Sequence, residues 1–340
     1  MSLIGHRVTS WHVQLVDNSG ALIGLLNEVS GGTLSFSSAS TIKTSGTVIV
    51  QGGTVDWTKV RLQPVLVINS EEYPLGIFIP SAPSQTVTSA GSNGAVELLD
   101  RLTVLAEDVT DAWMSLPVGT VVTTAITEII ASTGENPGAI TPSTAATRTV
   151  MTWEPATPKL RIINDLLDAA GFFSLWCDTD GQYQVTPYAS PQDRPIAWVF
   201  GTSTREVHSP TYTSEQDLYA IPNRVVAVSS AAGEAEELVA VATNENPESP
   251  YSYQSRGRWI THPEQNVETT GQSALLAYAQ RRLQELSSAT ATRVIKHGYL
   301  PLRLNDAVIF DGKRHVVTSM SIPLDPTKLV ETTLREVVDT

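Results

Sequence analysis

One cysteine, Cys177, stands in a chain of 340 residues. That excludes an intramolecular disulfide framework and any cysteine-based zinc cage. A lone thiol of this kind reads as a small buried hydrophobe, and a reducing cytoplasm is the expected place of folding. Positive charge is scarce too: 22 Lys and Arg against 35 Asp and Glu give a net charge of −13. The chain therefore lacks the basic stripe of a nucleic-acid binder and the polybasic segment that docks on an anionic membrane. No apolar run approaches the roughly 20 residues of a membrane span. The opening residues, up to Arg7, lack the basic-then-apolar layout of a secretion signal.

What is present is the composition of a globular protein, 41% hydrophobic and 17% charged, long enough for two or three domains. The first 95 residues read as β. Trp11–Val16 alternates, Asp17–Gly20 supplies turn chemistry, and Ala21–Leu26 follows. Thr33–Ser37 and Thr47–Val50 come next. Val65–Ile68, a turn at Asn69–Glu72 and Tyr73–Ile79 make a hairpin, with Thr86–Thr88 and Ala95–Leu99 closing the set. Many short strands with glycine-rich turns point to a barrel or a sandwich.

The period then changes. From Thr120 the apolar residues fall at Val122, Ala125, Ile126, Ile129 and Ile130, the stripe of an amphipathic helix stopped by Gly134. A second helix opens at Thr157–Pro158, carries Ile163, Leu166, Leu167 and Ala170 on one face, and ends at Gly171. The segment 172–185 reads as strand, Asp-Gly turn, strand. After Gly201, Asn223–Val228 and Leu238–Ala242 read as paired strands around an acidic turn at Glu234–Glu237. Asn244–Arg258 reads as a long ordered loop. A third helix, Thr270–Ser287, has Leu275, Leu276, Ala279, Leu283 and Leu286 on its apolar side. Strands at Asp306–Phe310, His315–Ser319 and Glu331–Val337 finish the chain.

One pattern occurs twice: a hairpin followed by a strand that completes its sheet, first at Val65–Ile79 with Ala95–Leu99, then at Asp306–Ser319 with Lys328–Val337. The expected architecture is mainly β with an α+β insert: a β-barrel domain over 1–95, an α+β domain over 96–204, and a second β-barrel domain over 205–340 holding one helix and the long loop.

No motif of catalysis is found: no G-x-S-x-G elbow, no phosphate loop, no H-E-x-x-H and no G-x-G-x-x-G. His6, His12, His208, His262, His297 and His315 are scattered without metal-ligand spacing. Asp178-Thr-Asp-Gly181, with Asp168 nearby, lacks the later ligands of a calcium loop and reads as a hairpin turn. Glu107, Asp108 and Asp111 read as a solvated acidic segment. No catalytic residue, metal or cofactor is expected. The candidate interaction surface is Tyr251, Tyr253, Arg256, Arg258 and Trp259, because aromatics with arginine are what protein interfaces select. The same residues could instead anchor the loop to its own domain.

Several stretches, in this order, resemble the tail-tip hub proteins of tailed phages: the minor tail proteins of long-tailed phages, related to the trimeric baseplate hubs of contractile ones. They are WHVQLVDNSG from Trp11, YPLGIFIP from Tyr73 ahead of Leu99–Asp100, PVGT from Pro117, and KLRIINDLLDAAGF from Lys159. IPNRVV from Ile221, SPYSY from Ser249, AQRRL from Ala279 and LNDAV from Leu304 follow. The resemblance implies two tube-like β-barrels flanking smaller domains in each subunit. It implies a homotrimer whose six barrels match a sixfold tail tube above to a threefold tip below. Its implied partners are a distal tail protein or tube ring, tip or fibre proteins, and a tape-measure protein in the lumen, with DNA passing through but not bound. The chain ends soon after the second barrel region, so no lytic or sugar-binding addition is expected. Two other classes stand beside this one: a receptor- or saccharide-binding module of the tail, and a tail-borne cell-wall hydrolase.

Overall fold

The computed structural model describes the chain except residues 1, 2, 4, 28, 52–54, 89–90, 139, 202–206, 216–220, 230–236, 268–270, 288 and 338–340. The first β region holds β1 (Thr9–Val16), β2 (Leu22–Leu26), β3 (Val29–Ser37), β4 (Thr44–Gln51), β5 (Arg61–Ile68), β6 (Glu71–Pro74), β7 (Phe78–Thr88) and β8 (Gly91–Asp100). Alternation along these strands sends Val13, Leu34, Val48, Leu62 and Leu98 into one core. The β5–β6 hairpin turns on Asn69 and Ser70, both with positive φ, the backbone of a two-residue turn that follows the strand twist. β8 runs on to Asp100, past the expected boundary at residue 95.

The middle region holds α1 (Leu102–Glu107), β9 (Met114–Leu116), α2 (Val122–Ser132), β10 (Met151–Trp153), α3 (Lys159–Ala169), β11 (Trp176–Cys177) and β12 (Tyr183–Gln184). Ile126 and Ile130 of α2 and Leu166 and Leu167 of α3 are fully buried in its core, as their stripes require. Gly134 and Gly171 end these helices at positive φ. Thr157 does not cap α3: its hydroxyl donates to the Glu154 carbonyl, and Pro158 opens the helix. The acidic segment begins at the last residue of α1, a helix that the sequence reading missed. Asp108 ends that helix and pairs with Lys159 Nζ at 2.7 Å.

A buried ionic node joins the middle region to the first. Glu135 receives the Arg61 fork on both oxygens and Arg101 on Oε2, at 2.5 Å from Nη2, and Arg101 also donates to the Gly181 carbonyl at 2.5 Å. Burial alone would raise the Glu135 carboxyl, but the hydrogen bonds from Arg61 and Arg101 prevail and hold it below its ordinary value. Removing one member of such a node leaves buried charge uncompensated, at a cost of about 3–5 kcal/mol. Gly181 must be glycine here. Its φ is +72°, and a Cβ would lie 2.8 Å from Ile77 of the first β region.

The last region holds β13 (Ile196–Val199), β14 (Thr213–Glu215), β15 (Arg224–Ser229), β16 (Val239–Thr243), α4 (Tyr253–Arg256), β17 (Thr261–Val267), α5 (Gln272–Ser287), β18 (Ala289–His297), β19 (Ala307–Phe310), β20 (Lys313–Pro323) and β21 (Val330–Val337). The acidic turn at 234–237 falls largely outside the described residues, and Thr270 does too. Leu276, placed on the apolar side of α5, is 38% exposed, because the helix packs with Leu275, Ala279 and Leu283 instead.

The two β regions are parts of one sheet of 14 strands, ordered β14-β18-β21-β20-β3-β4-β8-β7-β5-β1-β2, with β6, β13 and β19 attached at its sides. β20 makes the junction. Its first half pairs with β19, a shift follows between Val317 and Ser319, and its second half pairs with β3. The sheet contains one strand order twice. β4-β8-β7-β5 and β18-β21-β20-β19 each run first, fourth, third, second in chain order, antiparallel throughout. Each run has its own core, around Val48 and Leu98 in one and Ile295, Val317 and Leu334 in the other. Among the described residues neither run closes on itself.

Candidate interaction surface

Between β14 and β18 the chain builds a separate three-stranded sheet, β16-β15-β17, in which β15 and β16 are antiparallel and β17 lies parallel to β15. Period-two alternation gives this sheet two faces. Val225, Ala227, Ala240 and Ala242 point inward and pack on Leu275, Ala279 and Leu283 of α5. Arg224, Val226 and Val228 of β15 share the other face with Val239, Val241 and Thr243 of β16. Register sets Val226 opposite Val241 and Pro263, and Val228 opposite Val239. Val239 and Val241 are 50% and 47% exposed. The result is a contiguous aliphatic face with no helix over it among the described residues.

At the Arg224 end of that face lie two of the residues singled out in the sequence. Tyr253 and Trp259 stack with ring centroids 4.4 Å apart and planes at 24°. The Arg224 guanidinium sits 5.2 Å from the Trp259 ring centre and donates to Thr261 Oγ1 at 2.9 Å. The stack is held by a short cap: Ser252 Oγ accepts from the Ser255 amide, and Gly257 at φ 63° releases the chain toward Trp259. Tyr251 and Arg256 do different work. Tyr251 is buried, with the Arg256 guanidinium 4.8 Å above its ring, and Arg256 Nη1 donates to the Ile221 carbonyl at 2.8 Å. Arg258 is exposed, while its carbonyl accepts from Nδ2 of the fully buried Asn223 at 2.9 Å. Asn223 also accepts from the Ile260 amide at 2.7 Å, so one side chain pins both ends of the turn.

The aliphatic face was missed in the sequence, although its signal was there. Val-Val-Ala-Val and Val-Ala-Val-Ala are apolar at nearly every position, the mark of strands covered on both sides, and α5 covers one.

The residues tested for chemistry are dispersed. Asp178 Oδ1 accepts from the Asp180 and Gln182 amides and Oδ2 from Gln184, which spends the carboxylate on the β11–β12 turn. Asp168 faces Arg281 of α5 at 3.4 Å. His297 and His315 are buried; His262 pairs with Glu264, and His12 lies 4.0 Å from Glu72. Among the described residues no three His, Cys, Asp or Glu side chains form a metal-holding group. Burial pushes the Cys177 thiol well above its ordinary value, with Asp100 beside it adding to the effect, so it is a poor nucleophile.

No family model matches the sequence, and no curated protein does. Solved structures do match in fold. A tail protein from Neisseria meningitidis is similar over 97% of each chain, with a TM-score of 0.70 at 13% identity. The 43 kDa tail protein of prophage MuSo2 from Shewanella oneidensis is similar over 96% of this chain and 98% of its own, at 0.66 and 11% identity. The E. coli c3393 protein, a type VI secretion component with structural similarity to the T4 tail proteins gp27 and gp5, covers 92% of this chain and 74% of its own, at 0.51 and 10% identity. The chain has the fold of phage tail proteins, the same class that its sequence resembles.

Proposed function

We propose that the chain is the structural hub of a phage tail tip: a homotrimeric ring that joins a sixfold tail tube to a threefold tip and lets DNA through during ejection. The observation that carries this reading is the strand order found twice in the large sheet. Two similar β units per chain become six in a trimer, which is the number a sixfold tube can meet. In this reading residues 1–95 and 205–340 supply the tube-like domains and 96–204 the unit between them, with the β15–β17 sheet and α5 inserted in the second. Full-length likeness in fold to tail proteins, and to a protein itself similar to gp27 and gp5, supports it.

The ring's neighbours are a distal tail protein or tube ring on one side and tip or fibre proteins on the other, with a tape-measure protein in the lumen before ejection. The chain is virion-borne and performs no catalysis. The aliphatic face with Tyr253 and Trp259 is its docking surface toward the adjacent copy in the ring. Arginines at its rim, Arg224 and Arg258, suit a partner whose net charge is −13. Native mass measurement of the tip complex released from purified tails tests the central claim. Three copies per complex are expected, and any other stoichiometry overturns it.

A further inference from the structure

A cleft of about 1110 Å³ opens where four parts of the molecule meet: the first β region, the middle region, α5 and the second β run. Clefts at such junctions are where ligands bind. At one end the phenol of Tyr188 is hydrogen-bonded to Glu285, and four guanidiniums gather around that pair. Arg281 lies 5.7 Å from the Tyr188 ring centre and is matched by Asp168 at 3.4 Å. Arg282 is matched by Glu264 at 2.6 Å and Glu285 at 3.1 Å. The other two have no such match. Arg194 lies over Phe173 and Tyr188, donates from Nε to the Ala189 carbonyl at 2.9 Å and from Nη1 to the Asn305 carbonyl at 3.1 Å, and is hydrogen-bonded to the Tyr188 phenol. Arg335 of β21 lines the cleft with no hydrogen bond and no ion pair among the described residues, and feels Glu285 only at longer range.

Two half-buried guanidiniums without a carboxylate are costly. Burial lowers the pKa of both, and the nearness of Arg335 lowers that of Arg194 further. Arg194 is satisfied by its carbonyls, so it is Arg335, half-buried and without a hydrogen bond among the described residues, that calls for an ion or water to complete it. The planar fork of Arg335 is matched best by an oxygen anion, which takes two parallel hydrogen bonds from it, with the charge of Arg194 alongside. Lysine and arginine elsewhere in the cleft do not compete: Lys43 donates to the Ser38 carbonyl, and Arg303 lies beside Asp306.

We propose that the Arg194–Arg335 end of this cleft binds an oxyanion, a phosphate- or carboxylate-type group, which braces β21 against the segment that follows β12. The site is independent of the hub reading and stands or falls without it. The test is calorimetric titration of the purified full chain with inorganic phosphate, and separately with acetate, at constant ionic strength made up with chloride. Saturable binding of at least one is expected. If phosphate binds and acetate does not, the natural group is a phosphate; the reverse assigns a carboxylate. Arg335→Met should weaken binding by about tenfold or more, the weight of a charge-assisted hydrogen bond. Arg335→Lys keeps the charge but not the fork, and should weaken it less while preserving the fold. Lys59→Met, at an exposed cation that does not line the cleft, should leave it unchanged. Absence of saturable binding in the natural chain overturns the proposal, as does binding that survives both Arg335 changes undiminished.

Discussion

His297 shows how a single side chain carries a stability cost that only burial could reveal. Its ring is fully buried, with Nδ1 2.6 Å from the Gly298 carbonyl and Nε2 2.8 Å from Thr332 Oγ1. A carbonyl can only accept, so Nδ1 carries the proton, and Nε2 of the neutral ring takes the threonine hydroxyl. Desolvation, with Arg7 and His208 nearby, brings its pKa from 6.5 down to about 4, against the pull of the Gly298 carbonyl. The unfolded chain therefore binds this proton at a pH where the folded chain does not. Stability is complete above pH 6.5 and falls as pH drops toward 4, by about 1.4 kcal/mol per unit and by about 2 kcal/mol at pH 5. His315, lowered by burial, adds in the same direction. Denaturant melts at pH 7 and pH 5 should show this loss. His297→Gln should narrow the gap between the two conditions, whatever it does to stability at pH 7. An undiminished gap in that variant would remove His297 as the cause.

Elements with strong local signatures were legible from sequence: the stripes of α2 and α3 and the glycines that stop them. Those specified by distant partners were not. β17 has polar residues at His262, Glu264 and Gln265 and becomes a strand because β15 offers it a parallel edge. The pairing of β20 with β3 joins residues about 286 positions apart, and no local pattern encodes it. The parts of the candidate surface differ in how far the sequence points to them. Tyr253 and Trp259 were found by residue type, whereas the valines beside them needed the position of α5 to show which face stays open. That face gives a prediction. Val241 is an exposed position on an edge strand, so Val241→Asp should cost at most about 1 kcal/mol in the isolated chain. In the proposed ring, where the neighbouring copy is acidic, the same change places like charge on the docking face. Circular dichroism and melting should therefore find a folded protein, while complementation should find few tails. Tails assembled at the ordinary level would mean that the face is not a contact.

At the scale of the whole molecule the two β units and the charge bear on one another. In the proposed hub the ring surrounds the path of DNA, and three copies of a chain with net charge −13 place a large negative charge around it. Duplex DNA carries one negative charge per about 1.7 Å. A basic wall would hold the duplex, because every phosphate contact releases counterions and adds affinity. An acidic wall within a Debye length of about 8 Å repels it and leaves it free to slide. Asp and Glu should thus outnumber Lys and Arg on the surface facing the threefold axis, with the remaining acidic residues spread thinly outside. The Arg194–Arg335 cleft does not conflict with this, since a site of four arginines matched by three carboxylates takes one small anion, not a polymer. In gel-shift experiments at about 100 mM salt the purified protein should leave duplex DNA unretarded, and the trimer's axial surface should map as acidic in a structure of the assembled tip. A basic channel or tight DNA binding would defeat this account of passage, even with the trimer intact.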